Sequence, residues 1–128
     1  MTIAESTKRY WIALALAACF ASSANARDLT GVWQSNGIGT ALGTYYIRVN
    51  GSDVFWLGES SDAGKSWMNV FHGTMKDNVI KGKWADLPLS ASGGGGTIEI
   101  EYDAEKDILF LNKETGSFSA RKWIRLER

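Results

Sequence analysis

The sequence predicts an all-β fold, an eight-stranded antiparallel up-and-down meander closing into a small barrel, with a β-sandwich as the alternative. Three observations predict it. The 128 residues include six Trp and fourteen Gly but one Pro, and that mixture suits tight turns between aromatic-rich strands better than helices. After Ala26 no stretch sustains a helical period. Instead, eight short β-rich runs follow one another, each separated from the next by turn residues.

The first 26 residues stand apart from this pattern. Lys8 and Arg9 precede the apolar run 10–18, and small residues then lead to Ala24-Asn25-Ala26. A positive start, a short apolar stretch and an A-x-A exit form a cleavable export signal. The run is too short to span a bilayer, which needs about 20 apolar residues. The expectation is a signal peptide over 1–26 and a single domain over 27–128, exported to the periplasm or secreted. Leu16-Ala17-Ala18-Cys19 also resembles a bacterial lipobox, so a lipoprotein anchored through Cys19 is the alternative. Cys19 is the only cysteine, so a chain starting at Arg27 has no disulfide. Residues 27–128 suffice for one core and are too few for two.

The eight runs are 29–34, 43–49, 53–60, 67–76, 79–86, 96–103, 107–113 and 119–126. Between them lie Asn50-Gly51, Asp62-Ala63-Gly64, Asp77-Asn78, Gly93-Gly94-Gly95-Gly96 and Glu114-Thr115-Gly116, which are hairpin-length turn signals. A two-residue turn at Asp77-Asn78 sets Phe71 opposite Trp84 and Asn69 opposite Asp86. If Asp86 then pairs with Gly96, Lys83 faces Glu99 and Lys81 faces Glu101, two opposite-charge pairs each contributing about 0.2–1 kcal/mol. The other face carries Ile80, Trp84, Ile98, Ile100 and Tyr102, and the ladder extended backwards adds Tyr45, Ile47, Val49, Val54, Trp56, Trp67 and Phe71 to the core. A faint echo links 31–57 with 82–111, read as what any meander of this kind shows, with duplication of a half-barrel as the alternative.

Little chemistry is on offer. Lys and Arg balance Asp and Glu at fourteen each, so no global charge favours nucleic acid or an anionic membrane. His72 is the only histidine, expected outward beside Phe55 and Lys83, and with no cysteine after residue 19 no typical zinc site can form. Glu99, Glu101, Asp103, Glu105 and Asp107 alternate like a solvated face paired to lysines rather than converging like a calcium loop. Gly64-Lys65-Ser66 lacks the upstream glycine and the following helix of a phosphate loop. The expectation is a non-enzyme with no metal and no cofactor.

Two motifs carry resemblances. Ser60-Ser61-Asp62-Ala63-Gly64-Lys65-Ser66-Trp67 matches the Asp-box of sialidases, S-x-D-x-G-x-[ST]-W, at every defined position. The resemblance covers eight residues and implies a structural hairpin turn, with Asp62 accepting backbone hydrogen bonds and Trp67 packed beneath. Leu29-Thr30-Gly31-Val32-Trp33 resembles the opening G-x-W strand of calycin barrels, the lipocalin and avidin group. That resemblance implies a Trp closing one barrel end against an Arg from a late strand, here Arg121 or Arg125. Trp84-Ala85-Asp86-Leu87-Pro88 is similar to a family of small exported bacterial proteins, which implies no function.

The candidate site follows from the register. One inward row reads Tyr45, Gly58, Asn69, Asp86 and the next reads Ile47, Trp56, Phe71, Trp84, Ile98. Polar groups above an aromatic floor, with Gly58 opening space, make a small-ligand pocket. The expected ligand-binding residues are Tyr45, Trp56, Asn69, Phe71, Trp84 and Asp86, and the ligand is small and polar or saccharide-like, held at one barrel end. The outer face carries Tyr46, Phe55, Leu57, Met68 and Val70, with Ile108 and Phe110 beyond. An apolar band there suggests a homo-oligomer through Tyr46, Phe55, Leu57 and Val70, or a protein-interaction module or periplasmic enzyme inhibitor.

Overall fold

The computed structural model describes residues 29–37, 42–88 and 93–128. The expected export signal, its expected cleavage site and Cys19 lie outside the described residues. Eight strands run in chain order: β1 (Gly31–Gly37), β2 (Gly43–Asn50), β3 (Asp53–Ser60), β4 (Met68–Lys76), β5 (Val79–Asp86), β6 (Gly95–Asp103), β7 (Ile108–Glu114) and β8 (Ala120–Glu127). Each pairs antiparallel with its sequence neighbour, and β1 pairs with β8, so the sheet is a closed barrel with no sandwich layering. Strand bounds fall within three residues of those the turn signals predict.

Alternation decides what is inside. Along β4 and β5, Asn69, Phe71, Gly73, Met75, Ile80 and Trp84 are buried, while His72, Thr74, Lys81 and Lys83 are exposed. The core joins Leu29, Trp33, Tyr45, Ile47, Val54, Trp56, Phe71, Ile98, Ile100, Leu109, Phe118 and Trp123 from all parts of the ring. Val49 and Trp67 are only partly buried against it. The predicted rows hold as far as Trp84: Tyr45, Gly58, Asn69 and Asp86 are successive partners, as are Ile47, Trp56, Phe71 and Trp84.

The β5–β6 register differs from the expectation by two residues. Trp84 pairs with Gly96 rather than Ile98, Lys81 faces Glu99, Lys83 faces Thr97, and Val79 faces Glu101. A shift of two leaves every side chain on its expected face, which is why the core survives the error. The physical reason lies in the glycine run. Its residues have no side chain with which to mark a register, and Asp86 settles on Gly94: the Asp86 amide donates to the Gly94 carbonyl at 2.8 Å, and the Gly94 amide donates to Asp86 Oδ2 at 2.9 Å. Of the two expected charge pairs, neither forms as drawn. Lys81 instead reaches Glu99 at 3.6 Å, its own side chain largely exposed.

The barrel has two unlike ends. At the end where β1 begins and β8 finishes, Arg125 lies over the Trp33 ring, 4.4 Å from its centroid. Its guanidinium donates to both Asp107 oxygens at 2.8 and 3.0 Å and to the Thr30 carbonyl at 3.1 Å. Trp33 Nε1 donates to the Leu29 carbonyl at 2.9 Å, and Tyr102 donates its hydroxyl to Asp107 at 2.8 Å. Arg125 therefore seals this end, and Arg121 instead donates to the Phe118 carbonyl. The Arg125 guanidinium holds the Asp107 carboxyl below the usual carboxylate range, while burial and the Asp107 contact push the Tyr102 phenol up. The opposite end, the mouth, carries the 61–67 and 115–119 connections, with Leu87, Pro88, Gly93 and Gly94.

Candidate functional site

The mouth is built from the predicted polar row upward. Tyr45 and Asn69 are buried at 1 % and 4 % exposure, and Asp86 is half-buried above them. They line a recess of about 200 Å³ together with Trp67, Trp84, Phe118, Ser66, Ser117, Ser119 and Ala120. That is below the roughly 300–1,000 Å³ of pockets for drug-sized ligands, so the recess suits a ligand of about one small ring.

Trp56 and Phe71 do not line the recess. Their rings stack at 4.1 Å between centroids, and both are buried. Trp123 packs against Trp56 and Tyr45 at 5.8 and 5.7 Å, so the barrel interior beneath the mouth is occupied by side chains. Of the six expected residues, four meet at the recess and two form the packed layer below it.

Nor does Gly58 open space for a ligand. A Cβ on Gly58 would stand 2.5 Å from the Tyr45 ring, which already occupies the room the glycine leaves. The missing side chain lets Tyr45 lie flat inside the barrel, edge-on to Trp56 at 5.3 Å.

Much of the polar row is committed internally. Asn69 Oδ1 accepts from Trp56 Nε1 at 2.9 Å, and Asp86 Oδ2 accepts from the Gly94 amide. Burial pushes the Tyr45 phenol well above its ordinary value, only partly offset by the neighbouring Asn69, Ser35 and Trp123 donors, so the hydroxyl stays protonated. Trp123 Nε1 is buried and meets no hydrogen-bond acceptor in proper geometry among the described residues.

One wall comes from the β3–β4 connection. The Asp62 carboxylate accepts from the Ser60 hydroxyl, the Ser66 hydroxyl and, at 3.1 Å, the Ser66 amide. These donors, Ser60 first, hold the Asp62 carboxyl down at about 2. Ala63 and Gly64 adopt left-handed backbone (φ +63° and +80°), which lets the loop turn back so that the Ser60 amide donates to the Trp67 carbonyl at 3.0 Å. Trp67 then leans on Tyr45, 5.8 Å between ring centroids, and reaches the recess.

The opposite wall is Phe118, which the sequence reading passed over. It follows the Glu114-Thr115-Gly116 turn and precedes β8, where it reads as loop. A large apolar residue between two serines just after a turn was the available signal. Its ring sits 5.0 Å from Trp84 and 6.2 Å from both Trp56 and Trp123, at 3 % exposure.

No family model, curated protein or solved structure matches the chain. The mouth must therefore be judged on its own chemistry. It offers aromatic walls, a carboxylate and three serines, but no nucleophile–base pair. Among the described residues no three His, Cys, Asp or Glu side chains gather as a metal site. His72 sits on the outer wall, stacked on Phe55 at 4.7 Å and 3.1 Å from Asp53, and does not line the recess.

The outer face has its own features. Val32, Tyr46, Leu57, Val70 and Ala85 are successive cross-strand partners and form an apolar row around five strands. Tyr46 and Phe55 are the most exposed of the expected band, at 46 % and 43 %, while Leu57, Met68, Val70, Ile108 and Phe110 are half-buried. Two shallow troughs of about 780 and 630 Å³ cross this side and meet at Lys83 and Thr97. They are broad and open, without the convergent polar groups that mark a small-ligand site. No helix among the described residues is long and apolar enough to cross a membrane.

Proposed function

We propose that this chain is an exported, non-catalytic binding protein that holds a small polar, saccharide-like ligand at the barrel mouth. The observation that carries this reading is the recess itself. Trp67, Trp84 and Phe118 offer flat apolar walls, with Asp86 and the serine hydroxyls at their rim. A sugar has matching halves, since its C–H face packs on an aromatic ring while its hydroxyls donate to a carboxylate. The calycin-like opening strand and the Asp-box-like hairpin supply rigid supports, one sealing the far end and one holding Trp67. Export rests on the residue 1–26 pattern, with cleavage after Ala26.

The test is intrinsic Trp fluorescence of the protein beginning at Arg27, titrated with neutral mono- and disaccharides, for wild type and Trp67→Ala. Saturable quenching or blue shift is expected in wild type and at least tenfold weaker binding in the variant. Silence across the panel refutes the reading. Intact mass from the native host checks the N-terminus, where a lipid adduct on Cys19 would overturn soluble export.

A second reading has its own observation. The continuous outer row through Tyr46, Leu57 and Val70, with exposed Phe55 beside it, favours a protein partner or a second copy. Sedimentation across concentration separates monomer from oligomer, and Tyr46→Glu with Phe55→Glu should abolish any association.

A further inference from the structure

The ladder that closes the barrel is shortest between β7 and β8. There, pairing covers only residues 108–110 against 122–124. β7 continues to Glu114 and β8 begins at Ala120, so the two strands part on the mouth side. Phe118 sits where they part. Its backbone is held by side chains of the two separated strands: the Phe118 amide donates to Glu114 Oε2 at 3.1 Å, and Arg121 donates to the Phe118 carbonyl at 2.8 Å.

Just before it the backbone is anchored and then hinged. Thr115 is fixed to β6 through both its amide and its hydroxyl, and its carbonyl accepts from Trp84 Nε1. Gly116 and Ser117 follow with φ of +83° and +64°, two successive left-handed residues of which only the first is a glycine. A segment hinged at 116–117 can swing without breaking any strand pairing, because 111–114 and 120–121 have none with each other.

What Phe118 covers is the second half of the observation. Its ring is bounded by Trp84, Trp56 and Trp123. Trp123 is fully buried, yet its Nε1 donor, though near the Tyr45 hydroxyl, makes no hydrogen bond of proper geometry among the described residues. A buried donor left unpaired is costly, and native proteins seldom carry one without a use.

We propose that Phe118 is a displaceable plug over a second, deeper ligand chamber, in which a flat apolar ring replaces the phenyl group between Trp84, Trp56 and Trp123, and a neutral acceptor oxygen beside that ring takes the Trp123 N–H. The inference rests on the mouth being the ligand end and adds the chemistry of the ligand's inner half. The ligand has a polar head in the recess and a flat ring with an uncharged oxygen below it. An anion is unsuited, because the Asp86 carboxylate borders the path inward.

Acetophenone and ethylbenzene are the probes, a ring with and without the acceptor. Calorimetry on wild type and Phe118→Ala measures both. A plug lowers apparent affinity by the fraction of molecules that are open. Phe118→Ala should therefore bind acetophenone at least tenfold tighter than wild type does, and tighter than it binds the more hydrophobic ethylbenzene. Equal or weaker acetophenone binding in the variant overturns the plug, and ethylbenzene binding as well as acetophenone overturns the role of the Trp123 donor. Should Phe118→Ala not fold, hydrogen exchange on wild type decides. Saturating acetophenone should speed exchange of the Phe118 amide and slow that of the Trp123 indole, and an unchanged Phe118 amide refutes the swing. Saccharide binding by wild type with no gain in acetophenone binding by Phe118→Ala overturns the plug while the mouth reading stands; tight acetophenone binding with no saccharide response in wild type does the reverse.

Discussion

Replacing Arg125 with Met should be among the most destabilising single changes in the barrel. The side chain is only 5 % exposed and serves three partners: Asp107 through two hydrogen bonds, the Thr30 carbonyl and the Trp33 ring. Met keeps much of the apolar stem, so the loss is chiefly polar. Removing one partner of a buried ion pair costs about 3–5 kcal/mol, because the other charge is left without compensation. Here Asp107 retains the Tyr102 hydroxyl at 2.8 Å and Arg128 at 3.7 Å, which places the ion-pair loss near the bottom of that range. The lost cation–π contact adds about 0.5–1 kcal/mol. The expected total is about 3.5–4 kcal/mol, a fall in Tm of roughly 14–32 °C for a domain of this size. Urea denaturation of Arg125→Met, Asp107→Asn and the double variant measures it, and the double should lose less than the sum of the singles. Acid gives an independent check. Asp107 has its folded pKa lowered, so the stabilisation it contributes is fully present above the unfolded value of about 3.9 and is lost as pH falls through the folded value. Arg125→Met should flatten this part of the acid-unfolding curve. A loss below about 1 kcal/mol, or an unchanged acid slope, would show that the sealed end is decoration.

Gly58→Ala should cost about 1–3 kcal/mol in urea denaturation, since the added methyl lies 2.5 Å from the Tyr45 ring and 2.9 Å from Asn69 Oδ1, and no flexible side chain stands there to yield. The Asp62 carboxyl should titrate near 2 by carbon-detected NMR; being depressed, it favours the folded loop above about 3.9 and releases it as pH drops through about 2, and Ser66→Ala should raise the midpoint. The β5–β6 register can be read from double-mutant cycles: Lys81 with Glu99 should couple by about 0.2–1 kcal/mol and Lys83 with Glu99 by nothing measurable.

The fold was legible because a meander is written locally. Asp77-Asn78 sets the β4–β5 register by its own length, and the period of two sorts Trp84 from Lys83 without any knowledge of the rest. Legibility failed at the glycine run before β6, where no side chain distinguishes Gly94 from Gly96. Opposite charges were then used to choose a register that the backbone did not adopt, and Lys81–Glu99 shows how little such a pair constrains when one partner lies in solvent. The candidate site was half legible. Tyr45, Asn69, Trp84 and Asp86 share a mouth because their strands are adjacent, and adjacency follows from chain order. Pairing gives rows and says nothing of depth, so Trp56 and Phe71 were placed with a ligand when they are packed on each other. Phe118 belongs to no ladder, and no rule of pairing could have pointed it inward.

The joining of β1 to β8 has a consequence for how the barrel assembles. Seven of its eight pairings join strands consecutive in the chain, the most widely spaced nearest partners being Phe110 and Lys122, and such local contacts form early. The eighth brings together positions as far apart as Thr30 and Arg125, 95 residues distant in sequence. Closing a loop of that length costs about 2 kcal/mol more entropy than closing one of about eight residues, by the (3/2)RT ln n rule. The last step is thus the one with the least local reward, and Arg125 is the side chain that rewards it, reaching across the joint to Thr30 and Trp33. An interaction made only after the ring has shut acts as a latch: its loss leaves the rate of folding nearly as it was and shortens the lifetime of the closed barrel.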